Sequence, residues 1–151
     1  MNCELWIMNY IEIPINIISI EGDGFHLIVE GCINNKTARF VVDTGASRTV
    51  FDKSRILNYI NEPDFSEKEG ISAGIGGTDI SSFIFNIEEL SFGDLKIKDY
   101  QAVAMDLANI NTSYEMIKLP PIDGVLGGDL LRKYQAAISY RLKKIRLFPK
   151  K

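Results

Sequence analysis

The sequence predicts a mainly β domain with one or two short helices, and three observations carry that reading. Most of the chain consists of short apolar, β-branched or aromatic runs, several of them alternating with polar residues. Glycine, asparagine, aspartate and proline punctuate those runs at close intervals. Helical spacing is confined to two brief stretches, and there is no internal repeat, heptad or low-complexity tract.

The elements follow in order. Ile11–Ile20 is rich in isoleucine, alternates apolar residues with polar ones or proline over Glu12–Ile17, and reads as one strand, which Pro14 places at a sheet edge. Gly22-Asp23-Gly24 is a turn. Phe25–Ile33 and Thr37–Val42 form a hairpin about Asn34-Asn35 that leads straight into Asp43. Asp52–Ile60 has helical spacing, with Ile56, Leu57 and Ile60 on one side and Asp52 placed to cap it. Gly70–Phe85 reads as a hairpin with a glycine-rich tip, Gly74-Ile75-Gly76-Gly77. Ile84–Phe92 and Lys96–Met105 are strands joined by a Gly93-Asp94 turn. Asp106–Leu119 reads as a loop with at most one helical turn, because Asn109, Asn111, Thr112 and Ser113 favour turns over helix interiors. Ile122–Leu126 is a short apolar run, Asp129–Tyr134 a short helix capped by Asp129, and Gln135–Tyr140 and Lys144–Phe148 two closing strands.

With 151 residues, the chain has the length of one domain, 1–151, with residues 1–20 as an N-terminal strand or extension, and no room for two full catalytic lobes. At 46% hydrophobic and 25% charged residues it can build a core, which excludes disorder. Seventeen basic against twenty acidic residues leave a net charge of −3 and argue against a nucleic-acid partner. The basic residues of 141–151 alternate with Leu142, Ile145, Leu147 and Phe148, as on an amphipathic strand. Cys3 and Cys32 read as isolated thiols of a reducing compartment. The apolar N-terminus lacks a basic leader and is interrupted by polar residues, so no signal peptide or membrane span is expected, and the expected location is cytoplasmic.

Two motifs carry chemistry. In Phe40-Val41-Val42-Asp43-Thr44-Gly45-Ala46, three apolar residues precede a carboxylate, which therefore stands where a buried strand turns sharply. Roughly eighty residues later comes Ile122-Asp123-Gly124-Val125-Leu126-Gly127-Gly128-Asp129, an apolar pair followed by glycine and a short helix. One histidine and two distant cysteines make no zinc site. His26, in a strand, reads as a solvated or hydrogen-bonded structural residue, and Gly74–Gly77 lacks the Gly-Lys-Ser/Thr ending of a phosphate loop.

Together these motifs resemble the retropepsin-like aspartic proteases, in particular the short single-lobe bacterial members, from Phe25 to Phe148. The resemblance implies a closed, barrel-like acid-protease lobe and an aspartic endopeptidase that needs no cofactor or metal. It implies that Asp43 is catalytic and that Thr44, Gly45 and Ala46 complete the active-site loop. Thr44 would reach across a dimer, and the Gly45 carbonyl would meet the substrate backbone. Ala73, Gly74, Ile75, Gly76 and Gly77 would form a substrate-binding flap, and Val125, Leu126 and Gly127 a supporting loop beneath Asp43. Gly128 stands where retroviral members carry arginine, and no tyrosine marks the flap.

The chemistry agrees with that implication. Two carboxylates held about 3 Å apart share one proton, which supplies one base and one acid. Only one Asp-Thr-Gly is present; Asp106 and Asp123 lack the Thr-Gly, and Asp129 reads as a cap. The second aspartate is thus expected from a second copy of the chain about a two-fold axis, with an extended peptide as substrate and no nucleic-acid or membrane partner. Ala46 offers no hydroxyl to the carboxylate, so activity is expected nearer neutral than strongly acidic pH. The alternative is a catalytically silent dimerisation or peptide-binding module of the same fold; a barrel that binds small apolar ligands is a weaker third.

Overall fold

The hairpin into Asp43 forms because both its strands bury alternate side chains and its turn accepts left-handed backbone. β3 (Gly24–Ile33) pairs antiparallel with β4 (Lys36–Val42) in the register Ile33↔Lys36. Asn34 and Asn35 between them have φ of 49° and 68°, the two-residue turn that matches strand twist. This is a computed structural model that describes residues 9–22, 24–67 and 81–149.

Six strands close into a barrel. After β4 the ring continues through β9 (Gly124–Leu126), β5 (Val50–Asp52), β8 (Leu95–Met105) and β7 (Phe83–Phe92), and β7 returns to β3. Closure rests on Cys32↔Ser91 and Ile33↔Leu90. A Cβ on Gly31 would stand 2.7 Å from the Ser91 carbonyl oxygen and 2.8 Å from the Phe92 ring, so only glycine lets the two strands approach there. β2 (Asn16–Ile20) extends the sheet along β3, and β6 (Ser66–Glu67) along β7. The resemblance to a barrel-like, mainly β lobe is borne out.

Phe40, Phe51, Phe85 and Phe92 fill the barrel, with ring pairs at 5.2–5.8 Å in edge contact. Each such pair adds about 0.5–1.5 kcal/mol beyond its buried area. A second apolar cluster, Ile28, Val41, Leu107, Tyr114, Ile122 and Val125, lies on the other side of the β3–β4–β9 sheet. Sandwiching between two clusters explains why Phe40-Val41-Val42 is continuously apolar: Phe40 and Val42 face one, Val41 the other.

Three expectations change. The single strand Ile11–Ile20 is two strands in different sheets: β1 (Ile11–Pro14) joins β11 (Lys144–Leu147), and β2 joins β3. The chain crosses over at Ile15, whose N–H donates to the Lys143 carbonyl at 2.9 Å. β11 also pairs with β10 (Ala137–Ser139); its basic residues do lie on one face, where Arg146 and then Lys144 hold Glu12 below the usual carboxylate range. The Asp52–Ile60 helix is only a 3₁₀ turn, Arg55–Asn58, with Ile56 buried (1% exposed) and Leu57 turned to solvent (56%). Asp52 accepts the Arg55 N–H at 3.3 Å, but its other oxygen takes the Leu107 N–H at 3.0 Å and ties β5 to the end of β8.

The third change is the largest. Residues 106–119 hold a nine-residue helix, α1 (Ala108–Met116), in place of a loop. Asp106 accepts the Ala108 N–H at its start, at 2.9 Å. Asn111 then grips the backbone of Ile122 at both its N–H (2.8 Å) and its carbonyl (3.1 Å), and Tyr114 is buried. Anchorage to the barrel outweighs the weak helix propensity of Asn, Thr and Ser. No helix among the described residues is long and apolar enough to cross a membrane.

Asp123 locks the entry of β9. Its carboxylate, 3% exposed as a residue, accepts the Arg39 N–H and the Arg55 Nε–H, both at 2.8 Å. Its own N–H donates to the Arg39 carbonyl, and its carbonyl accepts from Asp52, also at 2.8 Å. Burial, then the Asp123 charge, pushes the nearby Tyr59 phenol up to about 12, so it stays protonated and donates to the Thr37 carbonyl at 3.0 Å. Asp123→Asn places an amide opposite two donors and is expected to cost about 2 kcal/mol, at the low end for a buried ion pair because Arg55 is a third exposed. A thermal melt checks it: the midpoint should fall by roughly 5 °C, and an unchanged midpoint would show that the lock contributes nothing.

Candidate active site

Asp43 follows the last residue of β4, and its position is set by β9. β4 and β9 run parallel with Val41↔Val125 and Val42↔Leu126, and β9 pairs on its other side with β5 through Val50↔Val125. The chain therefore leaves β4, loops through 43–49 and returns as β5, with β9 threaded between. The Asp43 N–H donates to the Leu126 carbonyl at 3.0 Å. Gly45 donates its N–H to Asp43 Oδ1 at 2.9 Å, and Ala46 its N–H to the Asp43 carbonyl at 3.2 Å, closing a tight turn.

The loop is tied down again at its far end. Gly128 N–H donates to the Ala46 carbonyl at 2.7 Å, and Gly127 N–H to Thr49 Oγ1 at 3.0 Å. Thr49 in turn donates from its hydroxyl (2.7 Å) and its N–H (2.8 Å) to Asp129 Oδ1. Asp129 is not the helix cap: α2 (Gly128–Lys133) is capped by Gly127, and Asp129, in its first turn, spends its carboxylate on Thr49 and the Leu130 N–H. Thr49 escaped the sequence reading because nothing in a single chain links it to a residue eighty positions away.

The predicted residues fall into three groups. Asp43, Thr44, Gly45, Ala46, Val125, Leu126 and Gly127 come together, with Val125 on the outer cluster and Leu126 in the barrel. Ala73, Gly74, Ile75, Gly76 and Gly77 lie outside the described residues, as does Cys3; Cys32 is a free thiol. His26 is hydrogen-bonded, through Nδ1, to Tyr114 Oη at 2.7 Å.

Asp43 and Thr44 are exposed on a cavity of about 500 Å³. β3, β4, α1 and β10 supply its walls, chiefly Leu27, Val41, Ile110 and Ile138. Asp43 is the one carboxylate among the described residues that line it. Oδ1 is occupied by Gly45, whereas Oδ2 meets no donor among the described residues. A wider concavity of about 1010 Å³, between Leu95, Leu131 and Tyr134, contains no residue of the Asp43 loop.

Comparison with known families covers the stretch that contains this loop. The aspartyl protease family profile matches residues 29–130, well over half of the chain, from β3 into α2. The chain belongs to the aspartyl protease family. Solved structures of similar fold include a retropepsin-like aspartic protease from Rickettsia conorii, 17% identical over 94% of this chain and 92% of that one, with a TM-score of 0.52. The EIAV protease, solved with the inhibitor HBY-793, is 18% identical over 81% of this chain and 99% of its own, with a TM-score of 0.55. The retroviral protease-like domain of Ddi1 from Leishmania major is 16% identical over 82% and 92%, with a TM-score of 0.53. No curated protein matches the chain. At these identities the structures show the shared retropepsin-like fold, and the family profile carries the membership.

In this member of the family, Gly127 is the tightest point of the loop. A Cβ there would stand 2.5 Å from the Arg48 carbonyl oxygen and 2.6 Å from its carbon, both backbone atoms. Gly127→Ala is therefore expected to destabilise by about 1–3 kcal/mol. Gly128→Ala, whose Cβ would meet the Ala46 oxygen at 3.2 Å, should cost less. Denaturant unfolding of both variants checks the order, and equal costs would contradict the packing account.

Proposed function

We propose that this family member is an aspartic endopeptidase whose active site is completed by a second copy of the chain. The single observation that carries the reading is that Asp43 stands alone: an exposed carboxylate with one free oxygen, on a rigidly tied loop, in a cavity with no second acid among its described walls. One carboxylate cannot both deprotonate a water and protonate a departing amine. Two copies of Asp43 about a two-fold axis can. One takes a proton from the water while the other protonates the scissile carbonyl oxygen; as the tetrahedral intermediate collapses, the first passes the water's proton to the departing amine and a hydroxyl of the intermediate returns a proton to the second, which restores the pair. No covalent enzyme intermediate forms. Each chain acts as one domain and one lobe of the pair.

Several features support this assignment. Gly45 keeps its N–H on Oδ1, which leaves Oδ2 to face the water. Thr44, exposed beside Asp43, has a hydroxyl with no partner among the described residues and is suited to reach the second copy. The apolar cavity walls would exclude water from an extended peptide.

Asp43→Asn preserves the acceptor for Gly45 and should leave the melting temperature intact. It should lower peptide cleavage by roughly a hundredfold or more, measured on a peptide library beside wild type. Sedimentation of the wild-type protein should show a dimer at micromolar concentration, at least with a transition-state inhibitor bound. Undiminished cleavage by Asp43→Asn, or a monomer under every condition, would overturn the dyad.

Ala46 presents only a methyl group next to the pair. The activity optimum is expected nearer neutral than acidic pH, and Ala46→Ser should extend activity to lower pH. A pH–rate profile tests both, and a wild-type optimum below about pH 3.5 would contradict the assignment.

A further inference from the structure

His26 lines the cavity that holds Asp43, with Thr44, Tyr114 and Tyr140 as its other polar side chains, and its hydrogen bonds define which nitrogen is free. It sits on β3 opposite Ile18, half-buried, and faces Tyr114 of α1 with ring centroids 5.7 Å apart. Its Nδ1 lies 2.7 Å from Tyr114 Oη. Tyr114 is 2% exposed, and burial raises its phenol above the ordinary value, so the hydroxyl keeps its proton. That proton needs an acceptor, and His26 Nδ1 is its only partner among the described residues. The phenol therefore donates to Nδ1, and the neutral imidazole carries its own proton on Nε2. If the ring gains a second proton, Tyr114 turns acceptor and Nε2 is still a donor.

Nε2–H has no acceptor among the described residues, and His26 lines the cavity. Around it the wall is mostly apolar, with Leu27, Val41, Ile110, Val125 and Ile138. A hydrogen-bond donor held in fixed orientation within an apolar wall rewards an occupant that is hydrocarbon along its stem and carries an acceptor at its tip. Asp43 in the same cavity repels an anion, so a neutral amide fits better than a carboxylate.

We propose that His26 is a specificity-determining residue: its Nε2–H donates to the side-chain carbonyl of a substrate glutamine lying against this wall, in preference to an apolar side chain of equal length. The proposal deepens the peptidase reading and rests on it. Tyr114 is the positioning residue that holds the imidazole in the required tautomer.

The test compares short peptides identical except for glutamine or methionine at each position near the cleaved bond. The quantity read is the ratio of kcat/KM for each pair, so a general loss of activity cancels. Wild type is expected to favour glutamine about fivefold at one position, the worth of one neutral hydrogen bond. His26→Phe should bring the ratio to about one, Tyr114→Phe should lower it part of the way, and His26→Gln, which restores a donor, should recover part of it. A wild-type ratio near one at every position, or a ratio unchanged in His26→Phe, overturns the proposal; if His26→Phe does not fold, an unchanged ratio in Tyr114→Phe does so. The same peptides with a reduced, uncleavable bond are titrated by calorimetry. Glutamine-selective, His26-dependent binding without any cleavage would sink the peptidase reading alone. Cleavage without selectivity would sink the role of His26 alone, and peptides neither cleaved nor bound would sink both.

Discussion

The structure depends on β9 being threaded between β4 and β5. Three residues, Gly124–Leu126, pair parallel with one neighbour and antiparallel with the other, and so hold both ends of the loop that presents Asp43. Such a strand is buried on both faces and along both edges, which explains its composition of small and apolar residues. Gly124, where a Cβ would stand 2.7 Å from the Val50 carbonyl oxygen, and Gly127 permit the approach of the β5 side. Asp123 before the strand and Asp129 after it bind backbone groups of the neighbouring segments, so the thread is fastened at both ends by buried or half-buried carboxylates. Both carboxylates are engaged within the fold, whereas Asp43 is exposed and its Oδ2 meets no donor among the described residues.

The outer face of the same thread makes the cleft. Val41 and Val125 point away from the barrel, where α1 covers them with Tyr114 and lines the cavity with Ile110. One side of the three-residue strand therefore stabilises the barrel and the other shapes the surface that a peptide would meet. Asn111, bonded to the backbone of Ile122 just before β9, couples the position of the helix to the loop beneath Asp43. Loop and cleft wall thus share a single foundation, and a change at β9 is felt in both.

Much of this was legible because it is local. The Asn34-Asn35 turn, the strands about Gly93-Asp94 and the apolar approach to Asp43 each follow from backbone preferences within a few residues. Legibility failed where a distant partner outweighed local preference. Ile11–Ile20 has no turn residue pair to divide it, yet β11 captures its first half and β3 its second. Residues 106–119 look like a loop until Ile122 and the barrel face supply what their own propensity lacks. Asp129 sits where a cap belongs, but Thr49 from the opposite loop competes for its oxygen and wins with two bonds against one local N–H.

The sequence by itself determined a β-rich chain with one Asp-Thr-Gly and one apolar-apolar-glycine run. Those are properties of neighbouring residues and of counting, and no distant contact can alter them. Only the tertiary structure decided that His26 and Tyr114, 88 positions apart, share a hydrogen bond in the cleft wall, and that Thr49 rather than a helix end receives Asp129. Pairing between remote segments is set by how the barrel closes, and closure depends on shape and burial summed over the whole chain.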